Sequence, residues 1–191
     1  MREFALFFLS IFVVFIVVNK VYKRDQEISQ VRSNIDSRTY IVRKLPDSQK
    51  ASDKLAEINQ KIIKLLDSLD PEDRDGIDTL KKRYDPDQLS ETGLGAKYTS
   101  YSVNKGEKIS ICVRDPGNTF IGDNIIIFVV IHELAHVMTT SIGHTDEFWD
   151  NMAYLLEKGD ELGIYVPEDY KKKPVDYCGM EINSTPYKKF K

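Results

Sequence analysis

The residues best placed to do chemistry in this sequence are bunched together. The chain has three histidines, and all of them fall within residues 132–144: His132 and His136, with Glu133 beside the first, and then His144. On an α-helix, positions i and i+4 lie one above the other on a single face. His132 and His136 can therefore aim their rings at one ion, while Glu133, one step around the helix, reaches a water held by that ion. Neutral imidazole nitrogens suit Zn2+, and a catalytic zinc site takes three protein ligands and leaves a fourth position to water. In a helical His-Glu-x-x-His pattern the glutamate serves as general base. The expectation is a peptidase-type zinc site with His132 and His136 as ligands and Glu133 as the catalytic base.

A helical histidine pair can also be core filler. The surrounding helix, expected over roughly 123–140, argues against that here. It is apolar nearly all round, from Ile125 through Ile131 and on to Leu134, Val137 and Met138, and such a helix is buried. Two histidines and a carboxylate are costly to desolvate there without partners, and a bound cation removes the difficulty. Past His136 the helix runs out through Thr139-Thr140-Ser141, and Gly143 lets the chain turn back. His144 then precedes a second amphipathic helix carrying Phe148, Trp149, Met152, Leu155 and Leu156. His144 is the natural third ligand, with Asp146, Glu147 and Glu157 as competitors. Phe148 and Trp149 read as core anchors rather than substrate contacts.

The elements that must position these residues follow from pattern. Phe4 to Val18 is apolar apart from Ser10. As a helix it spans about 22 Å, short of the ~30 Å hydrocarbon core, but flanking Lys20, Lys23 and Arg24 can snorkel. No small-residue cleavage pattern follows, so residues 1–22 are read as an uncleaved transmembrane signal-anchor rather than a removed signal peptide. Positive charge after the segment exceeds that before it, which places the rest of the chain on the cytoplasmic side. Residues 23–46, polar with isolated apolar positions, read as a stalk, and 47–191 as the folded domain. Ala51, Leu55, Ile58, Ile62, Leu65 and Leu69 mark an amphipathic helix, expected to pack on its own domain rather than on a second copy. Pro71 to Tyr84 reads as a further helical stretch, and the segment around Pro86, Gly93 and Gly95 as a loop. Tyr98–Val103 and Lys108–Arg114 read as a β-hairpin, 119–121 as a short third strand and Asp123 as a helix cap. A strand just ahead of the metal helix could offer its edge to an extended peptide.

Composition narrows the class further. Hydrophobic residues make up 41 % and charged residues 30 % of the 191, as in a folded globule. A net charge of −3 gives no general reason to expect nucleic acid. Cys112 and Cys178, far apart and outside any C-x-x-C, leave open whether they are reduced or bridged.

His-Glu-Leu-Ala-His at 132–136, followed by Gly-His-x-x-x-Phe-Trp at 143–149, resembles the WLM and SprT-like group of zinc metallopeptidases. The resemblance covers about residues 109–158. It implies an α+β fold, a small zincin-like metallopeptidase domain of helices and an antiparallel-edged sheet, here behind an N-terminal transmembrane helix. It also implies zinc on His132, His136 and His144, with Glu133 activating water. Seven residues separate His136 from His144, where WLM members typically have five and SprT-like proteins more. Small membrane-anchored versions occur in large DNA viruses, which makes a viral origin an expectation.

Toward the C-terminus, 167–174 reads as a charged loop and 177–182 as a last strand, with Tyr177 a candidate for steadying an oxyanion. The final residues are expected to fray. The chain is thus expected to be a membrane-anchored zinc metallopeptidase acting on protein or peptide, with no nucleic-acid partner. The alternative is a membrane-tethered binding module that keeps zinc for structure alone. The sequence leaves substrate and oligomeric state open.

Overall fold

The computed structural model describes residues 27–190 other than 94, 95, 97, 98, 104 and 105, together with Phe12, Val14 and Ile16. Strands Ile28–Arg32 (β1) and Thr39–Arg43 (β2) form an antiparallel hairpin with Val31 opposite Tyr40. Here the structure departs from the expected stalk over 23–46. Tyr40 and Val42 alternate along β2 and are both buried, and one apolar face is all a strand needs in order to join a sheet. The hairpin turn is tied down by Asp53 of the next helix, which accepts from Ser33 Oγ at 2.8 Å and from the Asn34 N–H at 2.7 Å.

That helix, α1 (Ser48–Ser68), buries the stripe the sequence announced, Ala51, Leu55, Ile58, Ile62 and Leu65. It lies across β1, β2 and β3 (Leu89–Glu91). Full burial of each Leu or Ile contributes roughly 1.5–3 kcal/mol. Helix α2 (Ile77–Arg83) starts late in the expected 71–84 stretch, after Gly76. Gly76 has φ +88°, and a Cβ there would fall 2.2 Å from the Met138 carbonyl oxygen. Only glycine permits this approach of α2 to the end of the metal helix.

Strands β4 (Tyr101–Val103) and β5 (Lys108–Ile111) form the expected hairpin. The sheet runs β1-β2-β3-β5-β4, with β3 parallel to both β2 and β5 and β4 an antiparallel edge. Residues 119–121 make no strand, only an isolated bridge from Phe120 to Arg114. The sheet edge beside the metal helix is therefore β4. Helix α3 (Asp123–Met138) packs on β4 and β5, and α4 (Asp146–Glu161) packs on α3. Gly122 takes the cap position expected of Asp123, which opens the helix and pairs with Lys54 and Lys61 of α1. A final hairpin, β6 (Val175–Tyr177) and β7 (Met180–Ile182), is joined to the end of β5 by a Cys112–Cys178 disulfide. The tail expected to fray is ordered over the residues described: Lys188–Phe190 forms a 3-10 turn, and Tyr187 and Lys188 hold Asp160 and Glu157.

One polar cluster lies inside this frame. Arg43 Nε is 2.9 Å and Arg114 Nη2 2.6 Å from the Glu91 carboxylate, and all three side chains are buried. Arg114 also pairs with Asp47, and each arginine donates to the other's carbonyl. The cluster locks β2, β3 and the chain after β5 together.

Among the described residues no helix is long and apolar enough to cross a membrane. The expected anchor segment, Phe4 to Val18, lies outside the described residues except for Phe12, Val14 and Ile16, which are helical and exposed.

Candidate metal centre

Helix α3 is buried along most of its length, from Ile126 to Ile131 and again at Leu134, Ala135, Val137 and Met138. His132 and His136 are the points where it meets a cleft. At its C-terminus the Thr139 N–H donates to the Ala135 carbonyl, and Asn151 of α4 donates to Thr139 Oγ1 at 3.0 Å, which fixes the two helices to each other. The connection 139–143 then loops through solvent. Glu147 clasps it, accepting from the main-chain N–H and the hydroxyl of both Thr140 and Ser141. Those hydrogen bonds hold the Glu147 carboxyl down at about 2. Gly143, at φ +88°, reverses the chain, and Thr145 caps α4 by accepting from the Phe148 N–H.

The result is convergence. The Nε2 atoms of His132, His136 and His144 are 3.1–3.2 Å apart in all three pairs. Tetrahedral zinc bound at about 2.0–2.1 Å asks for nitrogens roughly 3.3 Å apart, so the three imidazoles fit a single ion. Burial, then the neighbouring rings of His136 and His144, push the His132 imidazole down to about 3. It is therefore neutral, as a ligand must be. Among the described residues no cysteine or carboxylate joins the three histidines in this group.

Glu133 turns toward β4. It is 6 % exposed, its burial pushes the carboxyl up to about 7, and the Ser102 hydroxyl and main-chain N–H oppose that by donating to it. Phe148, fully buried, forms the floor of the centre, with its ring centroid 4.3 Å from His136, 4.6 Å from His144 and 4.9 Å from His132. Phe148 is thus the core anchor expected of it. Trp149 packs against the core as well and has a second face: half-buried, 5.3 Å from the His144 ring, it lines a cavity of about 410 Å³ together with His132 and Glu133.

The competing ligands have other roles. Glu147 clasps the connection, Glu157 pairs with Lys188, and Asp146 lines a neighbouring hollow. Tyr177 is buried, with its hydroxyl accepting from the Cys112 N–H at 2.9 Å and sharing a hydrogen bond with Ser100. It steadies the wall of the cleft, and burial together with the nearby Glu133 carboxylate pushes its hydroxyl up to about 12. Ser102 and the β6–β7 hairpin, whose Met180, Glu181 and Ile182 line the cavity, were not singled out from sequence. Nothing in a short polar strand or a late hairpin signals that it will border a site made elsewhere.

The family model of the WLM domain matches residues 34–187. The chain belongs to the WLM family. The match takes in β2 and the end of β7, well beyond the stretch that carries the motif. A protein of Acanthamoeba polyphaga mimivirus is 33 % identical over 168 residues, 84 % of this chain and 85 % of its own. A protein of Invertebrate iridescent virus 3 is 39 % identical over 84 residues, 42 % of this chain and half of its own. These relatives belong to large DNA viruses and support an origin in one. The crystal structure of Wss1 from Saccharomyces cerevisiae superposes with a TM-score of 0.47 at 19 % identity, over 62 % of this chain and 85 % of that one. As a WLM protein, the chain is of a zinc metallopeptidase type with a metal cofactor. Its longer connection between the second and third histidines is accommodated as an exposed loop, with Ile142 at the tip, without displacing His144 from the other two rings.

Proposed function

We propose that this WLM protein is a membrane-anchored, zinc-dependent metallopeptidase that hydrolyses peptide bonds. The observation that carries the reading is the equal spacing of the three Nε2 atoms with a buried carboxylate alongside. Zinc on His132, His136 and His144 would supply a water of pKa near ~7 and polarise the scissile carbonyl. Glu133 takes the proton of that water and later hands it to the leaving amine. Ser102 orients the Glu133 carboxylate, and Phe148 fixes the ring planes. The edge strand β4 runs beside α3 and offers main-chain groups to an extended substrate, a mode that reads backbone more than side chains.

The rival reading, a tethered module with structural zinc, needs a fourth protein ligand; the described residues offer none at the centre, and both cysteines are spent on each other. Residues 1–22 act in this proposal as a single-pass anchor, with the charge bias placing the domain on the cytoplasmic side. The Cys112–Cys178 bridge pulls against that placement and so gives it a direct check, because disulfides persist in oxidising compartments and are rare in the cytosol. Trapping the two thiols in cells with an alkylating reagent reports which side the domain faces.

The deciding experiment compares wild type with Glu133→Gln, measuring zinc content in the purified proteins and cleaved peptides in the proteome of cells expressing each. The expected result is equal zinc and no cleavage in the variant. An active Glu133→Gln protein removes the proposed base.

A further inference from the structure

We propose that the cleft selects peptides with a large apolar residue directly after the scissile bond and a basic residue beyond it; this rests on the peptidase reading above. The direction follows from the proton. Glu133 delivers to the leaving nitrogen, so the residue that supplies this nitrogen lies on the Glu133 side of the metal. The 410 Å³ cavity has Glu133 and His132 as one wall. Its other walls are mostly apolar, Phe128 and Val129 one turn earlier on α3, Trp149 and Met152 of α4 and Ile182 of β7, with the hydroxyls of Thr99, Ser100 and Ser184 and the Asn183 amide among them. The apolar side favours an unbranched or aromatic apolar side chain, and the Glu133 and Glu181 carboxylates in the lining disfavour an acidic one. Met180 stands at the rim, 46 % exposed, and its flexible thioether adapts to side chains of different shape.

Trp149 and Ser184 also line a second hollow of about 580 Å³, which carries the exposed carboxylates of Asp146 and Asp150. Glu181 adds a third carboxylate at the mouth of the first. A chain leaving the metal over Trp149 therefore enters a negative field, which favours a basic side chain there and disfavours an acidic one.

Trp149 is the chain's one tryptophan and borders both hollows, so its fluorescence reports occupancy without any turnover. The full-length Glu133→Gln protein, loaded with zinc, is titrated with peptides that differ only after the intended scissile bond. Leu, Met or Phe in the first position is expected to bind roughly tenfold or more tighter than Ala or Asp, and Lys or Arg in the second or third position tighter than Glu. Cleavage of a randomised peptide library by the wild type should give the same order. Two variants then move the preference. Val129→Phe narrows the cavity and shifts the first choice toward Ala and Val. Asp146→Asn with Asp150→Lys, both exposed and checked for unchanged zinc content and melting temperature, reverses the choice of charge. Wild-type cleavage that depends on Glu133 but ignores both positions overturns this inference and leaves the peptidase standing. A library that wild type and Glu133→Gln leave equally intact overturns the peptidase reading itself and this inference with it.

Discussion

The molecule gathers chemically active side chains in two places, and it treats them differently. In the Arg43–Glu91–Arg114 cluster every charge is answered from within the chain: two guanidiniums share one carboxylate, Asp47 takes a remaining donor, and carbonyls take others. At the end of α3, three imidazole nitrogens point at one another, and among the described residues no carboxylate joins them. A cation at that common point would take a lone pair from each ring at once. The first arrangement is closed and structural, whereas the second has the shape of a receptor. Buried charge by itself therefore does not mark a site. Ligand nitrogens that converge on one point do.

The comparison can be broken at either end. The largest effect is expected at the open centre, where Glu133→Gln should lower the rate of peptide cleavage by about 10²–10⁴-fold at unchanged zinc content, read by kinetics and metal analysis on the same sample. At the closed cluster, Glu91→Gln leaves the buried Arg43 without a counter-charge and Arg114 with Asp47 alone, and should cost about 3–5 kcal/mol in denaturant unfolding, with zinc affinity unaltered in whatever fraction is folded. Replacing Arg43, Glu91 and Arg114 together by Met, Leu and Met should cost much less than the single change, since a saturated cluster can be exchanged for apolar packing. A triple variant worse than Glu91→Gln would mean that the cluster has a task beyond packing.

His144→Ala tests the other side of the contrast. His144 is exposed, so the metal-free protein should unfold within about 0.5 kcal/mol of wild type. Zinc affinity should fall by more than the roughly 10–100-fold typical of losing a partner outside the ligand shell. A chelator should reproduce that loss in wild type, and added zinc should reverse it. The smallest effect is expected at Thr145→Ala, which removes the cap of α4 and should cost about 1 kcal/mol, seen as a lower melting temperature with cleavage preserved.

Much of the open centre could be read from sequence because its parts are close together. Helical spacing pairs His132 with His136, and a single glycine turn brings back His144. The stripe of α1 and the β4–β5 hairpin were equally plain, since their periods are local. The closed cluster was invisible: Arg43 and Glu91 are 48 positions apart and Arg114 a further 23, and no local pattern announces that a charged residue will meet its partner across a sheet. β1 and β2 were mistaken for a stalk because their apolar residues are few and set among charges. Their place in the sheet comes from α1 covering one face, a tertiary fact. β3 was read as loop for a similar reason, being three residues long and two-thirds polar. Trp149 packs on the core and also borders a cavity, a second role that no local pattern announces.

The β1–β2 hairpin also bears on the anchor proposed above. With the sheet beginning at Ile28 and that anchor ending at residue 22, the intervening chain would reach at most ~20 Å even when pulled straight. On the proposed anchoring, an enzyme on so short a leash would patrol a thin layer next to its bilayer. Its customers would then be neighbours in or on the same membrane, with proximity narrowing the choice of target before any pocket does.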